Sequence, residues 1–399
     1  MRALIIGAGV AGPITAMALQ RAGIESLVAE AHPRSDGGAG SYFTVSPNGL
    51  DALEAVDALR IAVAEGFPTR RNVMRNARGA VLGDLPLGTP LADGTPALTM
   101  KRSRLAANLV EEAERRGIPF RFGRRLTAVE SGATGIIATF EDGSTESADL
   151  LIGADGVHSA VRRIVDPSAP AGRYVGLTNF GGITDAGAVP GLTLEPETWQ
   201  FTFGRQAFFG AHATPGGDIV WFVNAPRDEI GREERQRTSD ATWQAWLASL
   251  TDEDGGAVAR VIRAGRLELA GDNTYDLGHV ATWHRDRMIV IGDAAHAPAP
   301  SSGQGASMAM EDGVMLAMAL RDAPSVDAAF STFESVRRER VEKIVAYGAR
   351  SSSSKTPGRI GGLFRDAFMR VAFRYLITDR SLAWMYDHRI EWDRPFQDV

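Results

Sequence analysis

Apolar and polar positions change period several times along the 399-residue chain. Ala3 to Ile6 is a short unbroken apolar run, which reads as a buried strand. A glycine turn follows, then apolar positions at helical spacing to about Arg21. A second strand, Ser26 to Glu30, ends on an acid. Strand, helix, strand is the opening of a doubly wound sheet. Asn72 to Leu87 reads as a hairpin with its turn near Asn76 to Gly79. Ser103 to Arg116 has helical spacing, and Phe120 to Glu130, Gly135 to Glu141 and Asp149 to Ile152 read as strands. From about Tyr174 to Ala225 the pattern alternates and is rich in aromatic residues, which predicts a second, sheet-based unit. Ala241 to Leu250 is a short amphipathic helix. Met288 to Ile291 is again a buried strand, followed by a Gly/Pro-rich loop and a long helix starting near Gly305. Helices dominate the remainder, with Ser351 to Gly358 as a break.

These elements predict an α/β fold: a Rossmann-like domain with a β-sheet domain inserted and a helical C-terminal segment. The Rossmann-like domain is discontinuous, over residues 1–71, 99–172 and 270–350. The inserted sheet takes 72–98 and 173–269, and C-terminal helices take 351–399. With 44% hydrophobic and 23% charged residues, the chain can bury a large core and does not read as disordered. A net charge of -6 argues against nucleic acid and against an anionic membrane surface as partners. No run of apolar residues approaches a membrane-spanning length, and no secretory signal pattern follows Met1, so the expected location is cytoplasmic. The chain has no cysteine, which excludes disulfides, thiolate metal sites and redox-active thiol pairs.

Three segments carry chemistry. The first, Gly7 to Gly12 (GAGVAG), lies between a strand and a helix. Gly7 permits the tight turn, Gly9 lets the backbone approach a pyrophosphate, and Gly12 lets helix and strand pack closely. The helix N-terminus offers free N–H groups to phosphates, and Pro13 costs little in the first turn. Glu30 follows at the next strand end, where a carboxylate can accept hydrogen bonds from ribose hydroxyls. This segment alone does not separate FAD from NAD. The second, Leu150 to Arg162, brings an apolar strand to Asp155-Gly156, with Ser159 and Arg162 on the next helix. The third, Met288 to Gly313, delivers Gly292-Asp293 from a buried strand into a loop, and Gly303-Gln304-Gly305 then opens a helix. An Asp at a strand end can hold a ribityl hydroxyl. Glycines there let backbone N–H groups approach a flat ring, and the helix start would stabilise negative charge on it.

The ordered set resembles the class A flavin-dependent monooxygenases of the para-hydroxybenzoate hydroxylase and salicylate hydroxylase type, which include tetracycline-inactivating enzymes. Arg102, ahead of Leu105, resembles the family's Arg-x-x-Leu helix start, and Trp384-Met385-Tyr386 resembles an aromatic patch of its shorter members. The resemblance implies that Gly7, Gly9, Gly12 and Glu30 hold the ADP part of FAD, with Arg102 nearby. It places Asp155 and Gly156 near the pyrophosphate, Asp293 on the ribityl chain, and Pro298, Gly303, Gln304 and Gly305 along the isoalloxazine. Lys101 and Ser307 depart from the family, which more often has His and Asn there.

The implied activity is an NAD(P)H- and O2-dependent hydroxylation, through a flavin C4a-hydroperoxide, of an aromatic or polycyclic, polyketide-like small molecule. NADPH and NADH are both compatible as co-substrate, and a monomer or homodimer is expected. Reduction or halogenation by flavin on the same fold, and ligand binding without turnover, remain as alternatives. No residue stands out as a catalytic base. His296 and His158 read as structural loop histidines, His296 bonded to backbone. The aromatics from Trp199 to Phe222 read mostly as sheet core with a minority at substrate. Arg337 to Arg340, with Glu339 and Glu342, reads as a solvated helix face, and Met308, Met310, Met315 and Met318 as helix packing. No metal-ligand spacing is present among the seven histidines.

Overall fold

The computed structural model describes residues 1–34, 37, 40–254, 256–299, 302–352, 369–373, 377 and 379–396. Its first layer is a six-stranded sheet. The spatial order is His284–Arg285, Met288–Val290, Leu150–Gly153, Arg2–Ile6, Glu25–Glu30, Phe120–Phe122. All neighbours run parallel except the short edge pair His284–Arg285 and Met288–Val290. Ala3, Leu4, Ile5, Leu150, Leu151, Ile152, Ile289 and Val290 are almost wholly buried. That burial on both faces is why these strands read as unbroken apolar runs. The helix Ala11–Arg21 packs on this sheet and against the long helix Gly305–Asp322. Met308, Met310, Met315 and Met318 are buried on that second helix, as the spacing predicts.

The stretch read as one strand from Phe120 to Glu130 is two. Phe120–Phe122 completes the parallel sheet, the chain turns at Gly123 (φ +73°), and Leu126–Ser131 opens a separate antiparallel sheet with Ile136–Phe140 and Thr145–Ala148. A left-handed residue cannot continue a strand, and glycine adopts it freely.

The second large sheet has seven strands, in the order Arg266–Asp276, Arg173–Asp185, Asp218–Pro226, Phe208–Ala213, Thr198–Phe203, Arg71–Asn76, Val81–Pro86. Its pairs are antiparallel except Thr198–Phe203 with Arg71–Asn76. Side chains alternate between its faces. Phe180, Phe209 and Trp221 point one way, into a cluster with Trp243 of the helix Asp240–Thr251. Trp199, Phe201, Phe203, Phe208 and Phe222 point the other way, into a cavity.

The helices Pro47–Glu54, Leu59–Glu65 and Ala257–Ala264 have no counterpart in the sequence reading. Helix Val326–Ser352 runs through Ser351; the rest of the expected break to Gly358 lies outside the described residues. The helix Asp379–Tyr386 carries Trp384-Met385-Tyr386 and buries Met385 and Tyr386.

Candidate active site

A cavity of about 1410 Å³ lies between the two large sheets. That exceeds the roughly 300–1,000 Å³ of a pocket for one small ligand. One end is built by the strand-to-helix turn. Gly7 has φ +109°, and a Cβ there would collide with the Ala154 carbonyl. A Cβ on Gly12 would strike the Gly7 carbonyl oxygen, so Gly12 is what lets the helix seat on the turn. Gly9 differs: a Cβ there would meet no atom within 4 Å, because it would project into the cavity. Val10 and Ala11, at the start of the helix, also line the space, so unbonded N–H groups face it. Glu30 fixes the turn. Its Oε2 accepts from the Ala8 N–H at 2.8 Å and its Oε1 from the His32 N–H at 2.8 Å.

Asp155 and Gly156 (φ +75°) form the adjacent wall. The Asp155 carboxylate caps the helix Ala160–Val165, accepting from Ser159 Oγ at 2.5 Å, the Ala160 N–H at 2.7 Å and the Val161 N–H at 3.1 Å. Burial raises its pKa while these bonds pull it back. Arg162 then does something the sequence did not reveal. Its guanidinium, 1% exposed, donates to the Ala294 carbonyl at 2.9 Å and the Val157 carbonyl at 2.7 Å. One buried cation thus ties the Asp155 loop to the Asp293 loop.

Asp293 lines the cavity beside Gly305, whose added Cβ would lie 3.7 Å from Asp293 Oδ1 and 3.6 Å from Pro298 Cγ. Burial raises the Asp293 pKa, opposed by the charges of Arg102 and His296. Arg102 projects into the same cavity from the first turn of helix Arg102–Arg115 and has no hydrogen-bond partner for its guanidinium among the described residues. Gly303 (φ +63°) has open space where a Cβ would be. Ten of the twelve residues singled out in the sequence therefore line one cavity, Gly12 and Gln304 being the others. Gln304 turns inward: its Nε2 donates to Ser46 Oγ at 2.9 Å, and its Oε1 accepts from Asn48 Nδ2 at 2.9 Å.

Two expectations need correction. Arg337 and Arg340 do not form a solvated face. Arg337 is fully buried, 2.7 Å from Glu311 and 2.8 Å from Asp312, and Arg340 lies 2.8 Å from Glu311. Helical spacing shows which residues share a face, but not which face meets a neighbouring helix. The His296 ring bonds a carboxylate, not backbone, with Nε2 2.6 Å from Asp312 Oδ2; that oxygen also accepts the Gly292 N–H at 2.8 Å. The aromatics between Trp199 and Phe222 divide between the two faces of the sheet, with Trp199, Phe203 and Phe208 buried as expected of core. Five line the cavity, and only Phe209 and Trp221 of that stretch sit in the far-side core.

The chain matches the family described as "FAD binding domain" over residues 1–347. It belongs to that family. The enzyme is an FAD-dependent monooxygenase of the class A type, as its relatives are. It is 30% identical over 352 residues to the FAD-dependent urate hydroxylase of Klebsiella pneumoniae, covering 86% of this chain and 88% of that one. It is 29% identical to the 3-amino-4-hydroxybenzoate 2-monooxygenase of Streptomyces cremeus, covering 97% and 95%. The crystal structure of Klebsiella pneumoniae HpxO complexed with FAD and uric acid superposes with a TM-score of 0.81 at 26% identity, over 96% of this chain and 95% of that one. Among the described residues of the monooxygenase, no helix is long and apolar enough to cross a membrane.

Proposed function

We propose that this monooxygenase takes electrons from NADH or NADPH and uses O2 to hydroxylate an aromatic or polycyclic small molecule, with FAD held by the residues of the three motifs. The observation that carries the reading is the single cavity, which joins a glycine turn and helix N-terminus at one end to an aromatic sheet face at the other. The residues fit the cofactor. Gly9 and Gly303 leave room where a side chain would intrude, and the first turn of the helix Ala11–Arg21 offers N–H groups suited to a pyrophosphate. Gly7, Gly9, Gly12, Glu30 and Arg102 would hold the ADP portion, Asp155 and Gly156 the pyrophosphate region, and Asp293 the ribityl chain. Pro298, Gly303 and Gly305 would border the ring, with Gln304 bracing that segment from behind.

Bound and reduced, FAD supplies the two electrons that activate O2, so that one oxygen atom enters the substrate and the other leaves as water. The protein's part is placement and exclusion. The helix Gly305–Asp322 starts at the cavity wall, where its positive end would favour negative charge on a bound ring. Trp199, Phe201, Phe208 and Phe222 give a flat substrate an apolar surface and keep water from it. The aromatic substrates named for the relatives agree with such a surface.

The test is to record the absorption spectrum of purified protein and follow NADH and NADPH oxidation in air against phenols and polyketides, with product mass. The expected result is a flavin spectrum, ligand-stimulated oxidation and a product heavier by one oxygen. Halide-dependent products, or flavin without stimulation by any ligand, would count against hydroxylation.

A further inference from the structure

Behind the Gly303–Gly305 turn, a row of buried side chains runs back to a charge. Glu311 has no exposed surface, and Arg337 and Arg340 hold it ionised. An ionised carboxylate can only accept hydrogen bonds. Asn48, in the first turn of helix Pro47–Glu54, is also wholly buried. Its Nδ2 donates to Glu311 Oε1 at 2.6 Å and to Gln304 Oε1 at 2.9 Å. Gln304 Nε2 in turn donates to Ser46 Oγ at 2.9 Å.

The charge dictates how each amide lies. Turning the Asn48 amide over would set its oxygen against two acceptors, so it must present its NH2 group. Turning Gln304 over would then bring two NH2 groups together, so Gln304 must present Oε1. The row therefore has one polarity and one arrangement. Little room is left for another: a Cβ on Gly49 would lie 2.6 Å from Ser307 Oγ and 2.9 Å from Ser307 Cα, so the two helices nearly touch. Gln304 is also where turn becomes helix. Its carbonyl accepts the Met308 N–H at 2.9 Å, and its own N–H donates to Ser302 Oγ at 3.2 Å. Asn48 holds its side chain from behind, while Gly303, Gly305 and Pro298 line the cavity in front.

We infer that Asn48 is a positioning residue for the flavin ring: through Gln304 it fixes the turn against which the ring lies. Asn48 does not line the cavity, so it acts only through Gln304. The inference rests on reading Gly303–Gly305 as the border of the ring.

The test titrates the full-length apoprotein with FAD and with ADP, which reports the Gly7 end alone. Wild type is compared with Asn48→Leu, the smaller Asn48→Ala, Gln304→Leu and the double variant Asn48→Leu with Gln304→Leu. Asn48→Leu should bind FAD roughly tenfold more weakly, as expected for losing a hydrogen bond, and ADP within about twofold of wild type. The double variant should bind FAD no more than about twofold worse than the weaker single, because both changes break the same row. The visible circular dichroism of bound flavin should change alike in the two single leucine variants. An asparagine that only stabilises the fold would weaken FAD and ADP equally, and its loss would multiply with that of Gln304. Either of those results, wild-type FAD affinity in both Asn48 variants, or failure of both to fold would overturn the inference. Should that happen while ligands still stimulate NAD(P)H oxidation, the hydroxylase reading survives alone. If the FAD losses follow the expected pattern but no ligand stimulates oxidation, the hydroxylase reading fails and this one stands.

Discussion

Asp293 is the residue at which cavity, loop and helix meet. Its carboxyl is desolvated enough to have its pKa raised, and only the charges of Arg102 and His296 oppose that. A desolvated acid facing a cavity is costly in the empty protein and useful once a polar group arrives. Asp293→Ala should therefore leave the apoprotein as stable as wild type, or slightly more so, while weakening FAD binding by about ten- to a hundredfold, as expected for a hydrogen bond to a charged group. Flavin content after gel filtration, with the melting curve of the apoprotein, separates the two effects. Wild-type flavin retention in the variant would remove Asp293 from the cofactor's contacts.

At the scale of elements, the Asp293 loop is held by charges that the one-dimensional pattern concealed. Asp312 on the helix Gly305–Asp322 accepts from Gly292, His296 and Arg337, and Glu311 is paired with both Arg337 and Arg340. These cations hold both acids ionised well below their ordinary range despite full burial. Breaking a buried pair from one side leaves an uncompensated charge, at a cost of about 3–5 kcal/mol. Arg337→Met should lose that much in urea unfolding, whereas Arg237→Met, on an exposed pair with Glu233, should change little. Equal, small effects at both positions would show that the buried network contributes no more than a surface pair. The contrast also explains what was legible. Strands buried on both faces, such as Ala3 to Ile6, announce themselves as apolar runs, and glycine motifs announce turns. Arg337 gave no such signal, because a charged residue in a helix reads alike whether it meets water or two buried acids. Arg162 was visible in its motif, yet its two carbonyl partners lie in loops 132 and 5 residues away, a pairing only the fold supplies.

For the whole molecule, the cavity walls come from chain segments hundreds of residues apart. The Gly7 turn, the Asp155 loop and the Asp293 loop converge at one end, and the seven-stranded sheet closes the other. Their order along the chain was readable; that one space of about 1410 Å³ joins the motif loops to the aromatic sheet face was not. A cofactor spanning these loops binds only the folded arrangement, so its free energy adds to stability by mass action. At a hundredfold excess over its dissociation constant the gain is about 2.7 kcal/mol. Adding FAD to the apoprotein should therefore raise the melting temperature progressively, with no plateau at one equivalent, since stabilisation grows with the logarithm of free ligand. Asp293→Ala should shift that curve to higher FAD by the factor found in direct binding. A melting temperature indifferent to FAD would mean that the loops are not bridged by the cofactor.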